Sequence, residues 1–178
     1  MQIRIAIPQD REAINAVYSH AFSEGEREIV AQLALSLLAE AITPPILSLV
    51  AESDSVIVGH GAFSPMTSKG DKTFQGYILA PLGIKPDYQK RGIGSEIIES
   101  GKRELIKKGV QLLFVYGDPR YYSRFGFSVE LAKRYLPPYK LQYPFGWQAC
   151  ALNQNTKNKA KTHGQLACVT SLCDPKLW

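Results

Sequence analysis

Apolar positions recur along this chain at two different periods, and the order of the two predicts the fold. "QIRIAI" at 2–7 alternates apolar and polar residues and reads as a half-buried strand. Asp10 stands where an N-cap belongs, ahead of a helix that gathers Ile14, Val17, Tyr18 and Phe22 on one face. A second helix is predicted over 26–40, with Ile29, Val30, Leu33, Leu37 and Leu38 turned inward, and Thr43-Pro44-Pro45 stops it. "ILSLVAES" and "SVIVGHGAF" then read as a hairpin turning at Asp54. A polar loop, "TSKGDK", leads into a long strand ending at Ile84.

The helical period returns after residue 92. Ile93, Ile97, Ile98, Leu105 and Ile106 mark one face, Glu96, Glu99, Lys102, Arg103 and Lys107 the other, and Gly109 closes the helix. "LLFVYG" follows as an unbroken apolar run, the mark of a strand covered on both faces. Strand, crossover helix and buried strand make one parallel unit in an otherwise antiparallel sheet. "RFGFSVE", "FGWQACAL" and "GQLACVTSL" supply further strands around the turn "LPPY". No repeat or linker divides the sequence, so residues 1–178 are expected to form a single α+β domain.

Composition narrows the function classes. The formal charge of +5 suits an anionic partner, but it is dispersed, with local concentrations only at "KPDYQKR" and "KNKAK". A nucleic-acid surface calls for a denser basic stripe with interleaved aromatics, so that class is set aside. The three cysteines, Cys150, Cys168 and Cys173, form no metal-binding spacing and are expected to be buried or inert thiols in a reducing compartment. "MQIRIAIPQDREA" turns charged too early for a secretory core, and no apolar run approaches the length of a membrane span. A cytoplasmic protein that engages no membrane is the expectation.

Candidate chemistry concentrates at "YQKRGIGSE", where a strand hands over to a helix. Gly92 and Gly94 alone are equally compatible with simple chain reversal. A dinucleotide fingerprint fails because Ile97 occupies the third glycine position, and a P-loop fails for want of a Gly-Lys-Ser/Thr ending. What is left is bare backbone opening onto a helix N-terminus, with Lys90 and Arg91 beside it, which suits a diphosphate held without metal. On the preceding strand, Pro81 and Gly83 interrupt an apolar segment. If this strand splays from "LLFVY", the N–H and C=O groups of Leu82, Gly83 and Ile84 can pair with an extended amide-bearing ligand, as in strand addition.

These residues resemble the GNAT superfamily of acyl-CoA-dependent N-acetyltransferases. "LAPLGIKPDYQKRGIGSEII" is similar to its strand, Q/R-x-x-G-x-G turn and helix, and "YYSRFGF" to its Y-x-x-x-GF element; together they resemble a bacterial, YhbS-like branch. The resemblance implies the GNAT fold: a mixed, mostly antiparallel central sheet with helices on both faces and a splayed pair of parallel strands. It implies acetyl-CoA as cofactor and coenzyme A as product, with the pantetheine on Leu82, Gly83 and Ile84. The pyrophosphate would lie on Gln89, Lys90, Arg91, Gly92, Ile93, Gly94 and Ser95. It also implies that Tyr122 is the general acid that protonates the leaving thiolate, whose parent thiol has a pKa near 8.5.

An amine acceptor must lose a proton, yet the glutamate that many family members carry on the cofactor strand is missing from "FQGYILAPLGI". Glu52 is the candidate base, with His60 as a further titratable group. Asp118 is expected to cap the helix that bears Tyr122, and Val115 replaces an asparagine common in the family. The expected reaction is direct transfer in a ternary complex to a primary amine of an unidentified acceptor. The alternative is a non-catalytic acyl-CoA-binding or sensor module of the same fold. A homodimer through the C-terminal strands is compatible with either.

Overall fold

The computed structural model describes residues 1–153 and 163–178; "KNKAK" lies outside the described residues. In chain order the elements are β1 (Gln2–Ile5), α1 (Arg11–Ala21), α2 (Arg27–Ala39), β2 (Leu47–Ser53), β3 (Val56–Ser68), β4 (Asp71–Ile84) and α3 (Ile93–Lys107). Then follow β5 (Leu112–Tyr116), α4 (Pro119–Tyr122), α5 (Val129–Ala132), β6 (Tyr135–Leu136), β7 (Trp147–Ala151) and β8 (His163–Ala167). The sheet runs β1-β2-β3-β4-β5-β7, with β8 pairing β3 and β6. It is mostly antiparallel; β4 with β5, and the short β6 with β8, are parallel. Among the described residues no helix is long and apolar enough to cross a membrane, and no group of three His, Cys, Asp or Glu side chains could hold a metal ion.

The chain divides into two compact units, Met1–Phe63 with Ala80–Gly101, and Ser64–Leu79 with Lys102–Trp178. In the first, successive residues of β3 point to opposite sides, as the pleat requires. A Cβ at Gly59 would stand 3.2 Å from Ile97 and 3.3 Å from Ile93, both on α3, whereas the ring of the next residue, His60, meets Tyr18 of α1. Helices therefore cover both faces. Ile14, Val17, Tyr18, Ala31, Ala34, Val50 and Ile57 form the core under α1 and α2. In the second unit, β5 is the buried strand its composition predicts. It pairs β4 on one side and β7 on the other, and Phe114 stacks on Trp147 with ring centroids 5.1 Å apart.

Several local expectations are corrected. Ile29 and Ile106 are exposed, at 44% and 49%. The buried stripe of α2 centres on Ala34 and Leu37, and that of α3 on Ile97 and Leu105; at 100° per residue both isoleucines fall beyond its edge. The "TSKGDK" loop shrinks to Lys69-Gly70 between β3 and β4, because Gly70 at φ +96° closes a tight turn. "RFGFSVE" makes no strand. Gly126 at φ +82° ends a short 3-10 turn, Ser128 accepts a hydrogen bond from the Leu131 N–H, and α5 begins; a single bridge, Ser128 to Ala149, remains. "GQLACVTSL" is a strand only to Ala167 and then turns at Thr170–Leu172. Asp10 does not cap α1 with its side chain; its carboxylate takes Arg4 at 2.7 and 3.0 Å and the Ile7 N–H at 2.9 Å, the partners a buried carboxylate requires.

Candidate functional site

Within the first unit, β4 ends in Leu82, Gly83 and Ile84. The parallel ladder with β5 runs from Gly76–Leu112 to Leu79–Val115, and β4 continues past it through Pro81, whose peptide bond with Ala80 is cis. Gly83 is buried, and a Cβ there would stand 2.7 Å from the Tyr18 ring, so only glycine fits beside that ring. The Ile84 carbonyl accepts the Gln89 side-chain amide at 3.0 Å, and the Lys85 N–H donates to Val58 O at 2.9 Å. Gln89 thus bridges the strand end to the turn that follows it.

That turn has an unusual backbone. Lys90 lies at φ +59° and Gly92 at φ +83°, with Arg91 between them outside the left-handed region. Alternating handedness of this kind points successive N–H groups into one concavity, an anion-binding nest. The helix continues it. The first α-helical bond of α3 is Glu96 N–H to Gly92 O at 3.0 Å, so the amides of Ile93, Gly94 and Ser95 precede any intrahelical acceptor. Lys90 and Arg91 are exposed, and the Arg91 guanidinium lies over the Tyr88 ring at 5.4 Å. Seven consecutive residues singled out by sequence, Gln89 to Ser95, are thereby brought into one cationic, amide-lined turn at the foot of a 15-residue helix.

Behind Gly83 stands a cluster of polar side chains that hydrophobic patterning does not signal. Tyr18 Oη lies 2.8 Å from His60 Nδ1 and 3.2 Å from the His60 carbonyl, while His60 Nε2 lies 2.7 Å from Ser48 Oγ. A neutral imidazole serves both neighbours, one nitrogen accepting and the other donating. Burial pushes the imidazole pKa down to about 3, slightly countered by the charge of Asp10. Ser48 also lines a cavity of about 580 Å³ with Ile5, Leu37, Leu38, Ile42 and Pro45, so the chain of bonds ends next to open space.

The pH consequence follows from linkage. The folded protein keeps His60 neutral down to about pH 3, whereas the unfolded chain binds a proton below about pH 6.5. Stability contributed by neutral His60 is therefore complete above pH 6.5 and lost as pH falls toward 3. Between pH 7 and pH 5, ahead of most carboxylate titration, the unfolding free energy is expected to fall by about 2 kcal/mol. Urea titrations across that range check it: a flat profile, or the same slope in His60→Gln, would contradict the assignment.

Glu52, the penultimate residue of β2, stands opposite Gln2 of β1, and Arg4 Nε donates to its Oε2 at 2.7 Å. Arg4 spans Glu52 and Asp10, so both carboxylates are tied to one guanidinium, and chiefly the hydrogen bond from Arg4 holds Asp10 below the usual carboxylate range.

In the second unit, Tyr122 closes α4, and the local sequence explains why the turn forms. Asp118 accepts from the Arg120 N–H at 2.9 Å, and Pro119 fits the first helical position. Gly117 leaves room for the Tyr122 ring, whose Cε2 would stand 2.5 Å from a Cβ there. The Gly117 carbonyl accepts from Gln148 at 3.1 Å, a buried amide that pattern reading passed over. Tyr122 packs edge-on against Tyr121 (centroids 5.0 Å apart) and Phe127 (5.7 Å). Burial, reinforced by Tyr121, holds its phenol well above the usual tyrosine pKa. Among the described residues its hydroxyl has no hydrogen-bond partner. Val115, at the position of the family's asparagine, is buried in the β5 ladder.

Comparison with known proteins identifies the family. Residues 44–129 match the model of the acetyltransferase (GNAT) domain. An uncharacterized N-acetyltransferase, YjhQ of Escherichia coli strain K12, is 35% identical over 162 residues, 89% of this chain and 87% of YjhQ. The crystal structure of the GNAT family N-acetyltransferase YhbS from Escherichia coli, in complex with CoA, superposes with a TM-score of 0.82 at 26% identity, over 96% of this chain and 90% of YhbS. A GNAT family acetyltransferase from Brucella melitensis, in complex with acetyl-CoA, gives 0.69 at 31% identity, over 96% of each chain. The chain belongs to the GNAT family of acyl-CoA-dependent N-acetyltransferases.

Proposed function

We propose that this protein transfers the acetyl group of acetyl-CoA to a primary amine by direct attack in a ternary complex, releasing coenzyme A. The observation that carries the cofactor assignment is the alternating-handed turn at Lys90–Gly92 opening onto the first amides of α3. In this reading the amides of Gln89 to Ser95, with Lys90 and Arg91, bind the pyrophosphate. The backbone of Leu82, Gly83 and Ile84 receives the pantetheine amides, Ile84 through its N–H, since its carbonyl accepts from Gln89. The Tyr18 ring backs Gly83 and fixes the strand's position. Tyr122, its phenol kept protonated by burial, donates to the sulfur that leaves as thiolate. No cysteine lies in either motif to carry an acyl group, which supports direct transfer over a covalent intermediate.

The rival reading is a sensor that binds acyl-CoA without turnover. Coenzyme A release from acetyl-CoA over a panel of small amines, amino acids and peptides separates the two: amine-dependent thiol release supports transfer, and tight binding with none across the panel supports the sensor. In the same assay Glu52→Gln assigns the carboxylate. A fall in kcat of about 10²-fold is the general-base outcome. Unchanged kcat with a lowered melting temperature assigns it to holding Arg4.

A further inference from the structure

The C-terminal segment brings two thiols together. The 3-10 turn Thr170–Leu172 folds the chain back on itself, with the Cys173 N–H donating to Thr170 O at 3.0 Å, and sets Cys173 Sγ 3.8 Å from Cys168 Sγ. Cys173 is exposed and Cys168 half-buried, whereas Cys150 is buried. The turn is anchored, since Trp178 Nε1 donates to Leu172 O at 3.0 Å. Desolvation, and then the neighbouring Cys173, shift the Tyr139 phenol upward.

We propose that Cys168 and Cys173 form a peroxide-responsive dithiol that closes reversibly to an intramolecular disulfide. The Cys173 thiolate attacks one peroxide oxygen, the O–O bond breaks, and Cys173 becomes a sulfenic acid with release of water or an alcohol. The Cys168 thiolate then attacks that sulfur and expels hydroxide, which takes up the proton set free and leaves as water. Two thiols lose two protons and two electrons, and the peroxide gains them. The sulfurs must approach from 3.8 Å to a bond length of about 2.05 Å, a distance that side-chain rotation across a short turn supplies. In a reducing compartment the bond is transient, cleared by cellular thiols. The site shares no residue with the proposed acetyl transfer and does not rest on it.

The test uses the full, reduced chain under native conditions, titrated with hydrogen peroxide and read by intact mass and peptide mapping. The expected result is loss of two hydrogens, a Cys168–Cys173 cross-link reversed by dithiothreitol, and quenching of Trp178 fluorescence. Cys173→Ser and Cys168→Ser each abolish that cross-link, and Cys150→Ser retains it. Oxygen addition without hydrogen loss, a cross-link through Cys150, or disulfide-linked dimers as the product would overturn the proposal.

Discussion

Replacing Tyr122 with phenylalanine lowers kcat for acetyl transfer by about 10²-fold or more, the usual contribution of a positioned general acid, and leaves the dissociation constant for acetyl-CoA within about twofold. The substitution removes one oxygen from a ring held by Tyr121, Phe127 and the space above Gly117, so packing is conserved. Because that hydroxyl has no partner among the described residues, its loss leaves no broken bond inside the protein. The rate effect then reports on chemistry alone. Burial raises the Tyr122 pKa, so the O–H persists through the alkaline range, and kcat should show no decline from this group below the ordinary tyrosine value of about 10. A Tyr122→Phe enzyme that turns over normally removes Tyr122 from the mechanism.

Gly92→Val raises the dissociation constant for acetyl-CoA by about 10²-fold. Gly92 sits at φ +83°, where an L-residue costs about 1–2 kcal/mol and a β-branched one more. The turn relieves that cost by leaving the left-handed region, and the alternation with Lys90 that aims the amides together is lost. A charge-assisted hydrogen bond is worth about 1.5–3 kcal/mol, so one or two lost amide contacts account for the effect. The position is exposed and a Cβ there meets nothing within 4 Å, so folding is spared. Calorimetry checks it, with circular dichroism as the folding control. Unchanged affinity in a folded variant would detach the pyrophosphate from this turn.

What the sequence disclosed follows from how local each feature is. The glycine turn, the Asp118 cap and the buried strand β5 are each written within a few consecutive residues, and all three stand where they were read. Contacts between distant positions were illegible. Tyr18 reads as one more apolar residue of α1, and only the tertiary fold sets its ring on Gly83 and its hydroxyl on His60, 42 residues away. Asp10 has the sequence context of a cap but answers to Arg4, because a buried carboxylate follows the strongest cation within reach. "RFGFSVE" alternates like a strand, yet Gly126 and Ser128 impose a left-handed stop and a helix start that outweigh the alternation. Lys90 shows the same limit, since nothing in a lysine signals a positive φ.

The central claim is that the β4 terminus and the turn into α3 receive an acyl-CoA. Isothermal titration of the folded protein with acetyl-CoA and with coenzyme A tests it most directly. Saturable one-to-one binding of both, weakened by added salt as a phosphate-binding turn requires, is the predicted result. Absence of binding by either ligand to well-folded protein would contradict it.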